Sequence, residues 1–189
     1  MAPQEFIFYE PVTSGNLHQG EVLSNVILAQ LDPASLHDPI VNYITHPYAI
    51  VLSQECDLYW DFRGRSEAAF VSKKIPQILF CEVITAETLR GREGINAGLW
   101  KHMRENKDER YHFLQKVEPP QDGSAEGIPE LGIDFKRYFT LSTEELYKRI
   151  ENEETKRRFR LKSPYTEHLN SRFAHYISRV ALPIPHQSE

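Results

Sequence analysis

The chain has 189 residues, 40% hydrophobic and 26% charged, a size and balance that fit one compact domain and exclude wholesale disorder. Its two cysteines, Cys56 and Cys81, make no disulfide framework and predict a reducing, cytoplasmic setting; neither a signal peptide nor a membrane span is expected, because the start lacks a basic stretch before an apolar core and no 18-residue apolar run occurs. The net charge of −5 argues against a nonspecific coat on nucleic acid.

The total hides an asymmetry. Residues 155–180 hold seven Lys and Arg against Glu167 alone, while residues 1–154 are acidic. Such a split attracts a polyanion or forms two faces of one intramolecular contact, and the second reading is slightly preferred.

In chain order, GEVLSNVILAQL (20–31) predicts a first strand, introduced by Gly20 and closed by Asp32-Pro33. A loop follows to about Thr45. Tyr48 to Leu52 predicts a short strand buried on both faces, and Pro76 introduces another, QILFCEVIT. Between them DFRGRSEAAFVSKK is a polar excursion, and residues 96–106 predict a short helix with Leu99, Trp100 and Met103 inward. RYHFLQKV (110–117) and Leu131 to Phe135 alternate with the period of strands, and KVEPPQDGSAEGIPE between them is a loop. Ser142 with Glu145 forms a capping box opening a helix. Ser163-Pro164 opens the last one, with Leu169, Phe173, Tyr176, Ile177 and Val180 at helical spacing, ending near Ala181. Closely spaced strands with late helices imply an α+β fold, a small antiparallel barrel over residues 1–140 with a helical extension over 141–189 packed on it.

The stretch SQECDL (53–58) raises the question of chemistry. A nucleophilic cysteine needs a base and a lowered pKa, yet Glu55 and Asp57 flank Cys56 and oppose a thiolate. Cys81 sits within an apolar strand and reads as core. Among eight histidines only His168 and His175 approach ligand spacing, so no metal is expected. No glycine-rich phosphate loop and no G-x-S-x-G elbow occur, so neither nucleotide-dependent nor serine-hydrolase chemistry is expected, and no cofactor.

The order of pieces carries a resemblance. Gly20-Glu21-Val22 opening a strand, a loop through Leu31-Asp32-Pro33, His46-Pro47 leading into Ala49-Ile50-Val51-Leu52-Ser53, then Pro76 and QILFCEVIT together resemble the MazF/PemK toxin family over residues 20–85. The resemblance implies an SH3-like barrel, dimerisation and metal-independent cleavage of single-stranded RNA. By motif the catalytic positions fall on His46, where the family has arginine, and on Thr85. A histidine cannot grip phosphate as an arginine does.

The expectation is therefore a divergent barrel acting as a binding module, in a bacterial toxin–antitoxin or phage-defence setting, with an RNA or protein partner and a homodimer among its assemblies. Ser53, Glu55, Cys56, Asp57, Arg63 and Arg65 are its expected binding residues, and Tyr111 and Phe113 are candidates to stack bases. The alternative is an endoribonuclease using His46 and Thr85, with Arg63 or Arg65 supplying the missing cation.

Overall fold

The computed structural model describes residues 8–12, 15–35, 37–118 and 127–179. These residues form β1 (Tyr9–Pro11), β2 (Glu21–Leu31), β3 (Val41–Val51), α1 (Glu55–Ser66), β4 (Gln77–Thr85), α2 (Ala86–Arg90), α3 (Ala97–Arg104), β5 (Tyr111–Leu114), β6 (Leu131–Ser142), α4 (Thr143–Glu151), β7 (Lys156–Leu161) and α5 (Tyr165–Ser178), with 3-10 turns at Pro33–Ser35 and Ala68–Lys73. The middle of the loop between β5 and β6 and the expected helix end at Ala181 lie outside the described residues. Among the described residues no helix is long and apolar enough to cross a membrane.

All seven strands belong to one antiparallel sheet in the order β1-β7-β2-β3-β4-β6-β5. The fold is thus α+β, but the closed cylinder expected from the sequence is not formed. β1 and β5 remain edges of three and four residues, and no ladder joins them among the described residues. The sheet nevertheless curls until Tyr9 Oη donates to Gln115 O, just past β5, at 2.9 Å.

Two irregularities drive the curl. β2 shifts register on β7 between Val22 and Leu23. In β4, Glu82 faces the extra residues Asp134 to Arg137 of β6, where the register jumps between Cys81 and Val83. Bulges bend a strand and increase its twist. A third device lies between the pairs Ser24↔Tyr48 and Val26↔His46. There Asn25 adopts φ 59°, and the side-chain alternation changes phase: Val22 packs on one face, while Leu23 and Val26 both pack on the other.

One face holds a core drawn from all seven strands, including Tyr9, Ile50, Val83, Leu114, Phe135 and Phe159, and α5 closes it with Leu169 and Phe173. On the other face α1 and α4 bury Leu58 and Leu146 against Leu23, Val51 and Phe80. Beside them α2 and α3 pack Leu89 and Met103 on Tyr111 and Ile84. Residues 141–189 therefore contribute a strand as well as helices, since β7 lies between β1 and β2.

The distal parts of β2 and β3 pair only with each other, because β7 leaves β2 at Ser24 and β4 leaves β3 at Tyr48. This ribbon exposes Leu31, Ile40, Val41, Tyr43 and Ile44. The short strand expected at Tyr48 to Leu52 is the buried half of an eleven-residue strand. The polar excursion after it is mostly helix α1 and a 3-10 turn.

The basic segment resolves into intramolecular contacts. Arg157 pairs with Glu21, Arg160 with Glu10 and Arg179 with Glu109. Arg172 instead donates to the carbonyl oxygens of Asp108 and Tyr111.

Candidate functional site

The residues of SQECDL take up structural duties at the start of α1. Ser53 Oγ accepts a hydrogen bond from Leu79 N at 2.8 Å, tying the end of β3 to β4. Glu55 lies 2.6 Å from His18 Nδ1 and accepts from Gln19 N at 2.8 Å. Burial raises the Glu55 carboxyl, but these two contacts outweigh it and leave the group below its ordinary range. Cys56 and Asp57 are exposed, and among the described residues the thiol's hydrogen-bond partners are the Gln54 and Asp57 oxygens, at 3.7 and 3.9 Å. The base and cation that a nucleophilic thiol requires are not among these contacts.

Arg63 and Arg65 are engaged in ion pairs within α1 and the turn that follows it. Arg63 donates twice to Glu67, both bonds at 2.8 Å, and Arg65 twice to Asp61 at 2.8 and 2.9 Å. Thr85 is the N-cap of α2, its Oγ accepting from Thr88 N at 3.2 Å. No hydrogen bond or ion pair joins His46, Thr85 and Cys56 to one another among the described residues.

His46 belongs instead to a cluster at the β6 bulge. Its Nδ1 is 3.5 Å from Glu82 Oε1, and its ring stacks on Phe139 at 4.3 Å. Contact with His46 is the largest influence holding Glu82 below the carboxylate range, with Arg137 and Arg92 adding to it. Arg92 and Arg110 converge on buried Asp134 at 3.1 and 2.7 Å. His46 Nε2 and Glu82 Oε2 are both sealed from solvent with no hydrogen bond. The charges largely neutralise one another, and the Nε2 edge of the imidazole is closed to solvent while Nδ1 faces Glu82.

A second constellation, which the motif reading missed, runs along α3 and β5. Asn96 caps α3 by accepting from Leu99 N at 2.9 Å, and the helix then presents Lys101 and Arg104 beside Trp100. These residues, with Glu105, Phe113, Gln115, Lys116 and Glu130, line a groove of about 550 Å³. A neighbouring depression shares Trp100 and Glu130 and adds Arg90. Trp100 and Phe113 meet edge to face at 6.2 Å, with Arg90 over the first ring and Arg104 over the second. Arg90, Lys101 and Arg104 make no ion pair among the described residues, whereas Lys116 pairs with Glu118 and Glu105 with Lys107.

The β5 edge itself is blocked against another strand. Asn106, at φ 54°, accepts from Phe113 N at 2.6 Å and donates to Phe113 O at 3.1 Å. Asp108 accepts from Tyr111 N. Side chains thus occupy the groups that an added strand would use. The signal available in the sequence was the pair Lys101 and Arg104, three residues apart on a helix next to Trp100, facing the alternating Tyr111 and Phe113.

No three His, Cys, Asp or Glu side chains gather as metal ligands among the described residues. No family model, curated protein or solved structure matches the chain.

Proposed function

We propose that the protein is a binding module of MazF/PemK-like type, in a bacterial toxin–antitoxin or phage-defence setting, that holds single-stranded nucleic acid along the groove of α3 and β5. The observation that carries this is the pairing of two aromatic rings, Trp100 and Phe113, with three cations, Arg90, Lys101 and Arg104, that form no ion pair among the described residues, although Glu105 and Glu130 also line the groove. Strands without fixed sequence are held by such a combination, with bases on aromatic faces and phosphates on Arg and Lys. The antiparallel order of β2, β3 and β4, and the curl of the sheet, support the family reading. A binding role takes precedence because no hydrogen bond or ion pair joins His46 and Thr85 among the described residues, each being engaged with other partners.

The second reading is metal-independent RNA cleavage at His46. The contact of His46 with Glu82, flanked by Arg92 and Arg137, favours it over the cysteine or the α1 arginines.

One experiment separates the two. A fluorescent mixed-sequence single-stranded RNA is titrated in EDTA between 50 and 200 mM salt, and its integrity is followed on a gel. Three phosphate contacts predict a slope of log K against log salt of about −2, lost in the triple variant Arg90→Ala, Lys101→Ala, Arg104→Ala. Equal binding by that variant refutes the groove. Cleavage that disappears in His46→Ala establishes the second reading instead.

A further inference from the structure

The groove leads into a smaller cavity of about 220 Å³, and the two share Arg104, Glu105, Phe113 and Gln115. Its walls include Phe8, Leu161 and Tyr165, with the rings of Phe8 and Tyr165 edge to face at 4.7 Å. Flat apolar walls of this kind suit a planar ring.

His112 also lines the cavity, and it is only 4% exposed. Its Nδ1 lies 2.8 Å from Arg172 Nη1. A guanidinium has donors only, so Nδ1 is the acceptor and the imidazole proton resides on Nε2. Arg172 is fixed in turn by the carbonyls of Asp108 and Tyr111 and by Asn106 Oδ1, which locks the tautomer. Burial, with Arg172 and His168 adding to it, holds the ring well below its usual titration range, so it is neutral at pH 7.

The Nε2–H therefore points a fixed donor outward. Among the described residues no group accepts it, and His112 lines the cavity, so the donor stands at the cavity wall. Most buried donors have an acceptor. This one stands at the wall of a cavity lined in part by aromatic rings, beside the groove that carries Lys101 and Arg104.

We propose that the cavity receives one nucleobase from a strand lying in the groove, with a carbonyl oxygen or ring nitrogen of the base accepting from His112 Nε2–H. The proposal rests on the nucleic-acid reading of the groove and adds to it a site of base selection. Phosphates on Arg104 and Lys101 place the strand, and the inserted base reads its identity through the acceptor that His112 demands and through the amide of Gln115 at the rim. Only a single-stranded substrate can offer an unstacked base in this way.

The test uses the full chain and four homopolymeric 12-mer RNAs at fixed salt. Wild type is expected to discriminate about tenfold between the strongest and weakest strand, a difference that one well-made hydrogen bond supplies. His112→Phe, which fills the same space without the donor, is expected to level the four affinities to within about threefold, towards the weakest. Failure of wild type to bind any strand overturns the groove and this proposal together. Binding with no discrimination, or discrimination that persists in His112→Phe, overturns the base pocket alone. Should His112→Phe fail to fold, the wild-type imidazole resonances decide: adding the preferred nucleoside monophosphate must shift His112 Nε2, and an unshifted signal refutes the proposal.

Discussion

At the scale of single residues, the strongest constraint is the pair of Glu21 and Arg157. Glu21 is fully buried at the start of β2, and its carboxylate accepts from His18 N and from the Arg157 guanidinium. Arg157 also donates to the carbonyls of Gly15 and Asn16, so one side chain fixes the chain entering the sheet. Removing one partner of a buried pair leaves an uncompensated charge, and Arg157→Met is expected to cost about 3–5 kcal/mol in urea unfolding. The double variant with Glu21→Gln must recover part of that loss, which makes the charge rather than the packing responsible. Gly132 imposes a different limit. A Cβ there would lie 2.3 Å from Leu89 Cδ2, so the Leu89 side chain sits directly on the β6 backbone, and Gly132→Ala, which forces that methyl to turn aside, is expected to lower stability by about 1 kcal/mol. The two thiols divide as their surroundings dictate: Cys56 is exposed and Cys81 buried, so a native-state label should take one thiol per chain, and modification of both would contradict this packing.

At the scale of elements, strands were legible where burial writes a simple pattern. The bounds of β2 and β4 follow the apolar runs expected, and α4 and α5 begin where their start signals fall, although Ser142 makes no side-chain cap bond, Glu145 pairs with Arg149 instead, and α5 buries Leu169 and Phe173 while exposing Ile177. Helix α1 escaped notice for a physical reason. Its buried residues are Leu58, Asp61 and Gly64, three apart as a helix requires, but only one of them is apolar. Asp61 is held in place by Arg65 and by accepting from Ile75 N at 2.9 Å, and no sequence pattern announces that a carboxylate will be buried. Strand β7 was hidden similarly, since KRRFRL reads as a charge run until its arginines meet the acidic residues of β1 and β2. Thr85, expected by motif to take part in chemistry, also serves as a helix cap. Thr85→Ala should therefore cost about 1 kcal/mol of stability, while Thr85→Ser should cost little. Loss of nucleic-acid binding in Thr85→Ser at unchanged stability would return the residue to a functional role.

At the scale of the whole molecule, an open sheet must protect what a closed cylinder would cover. Here the α5 side chains Leu169 and Phe173 fill the concave face, and the Arg172 guanidinium between them satisfies backbone groups of the β5 edge while orienting His112. One helix thus closes the core, caps an edge and fixes a tautomer, and the cost appears in the response to acid. The His112 ring is kept neutral by burial, by Arg172 and by His168, whereas in the unfolded chain the same imidazole protonates near its ordinary value of about 6.5. The unfolded state then binds the extra proton, so stability is complete above about pH 6.5 and falls below it, by up to about 1.4 kcal/mol per pH unit from this one group. Glu82 acts in the same direction at lower pH. Its carboxyl is depressed chiefly by His46, so the stability it contributes is held above its ordinary range and lost as the pH falls through the lower folded value. Urea unfolding from pH 7.5 to 5 should accordingly show a plateau and then a decline that begins near 6.5, ahead of the carboxylates. In His112→Phe the first part of that decline should flatten while the lower part remains. A wild-type protein as stable at pH 5 as at pH 7.5 would mean that His112 gains its proton within the fold, and that the donor assigned to the cavity is not fixed on Nε2.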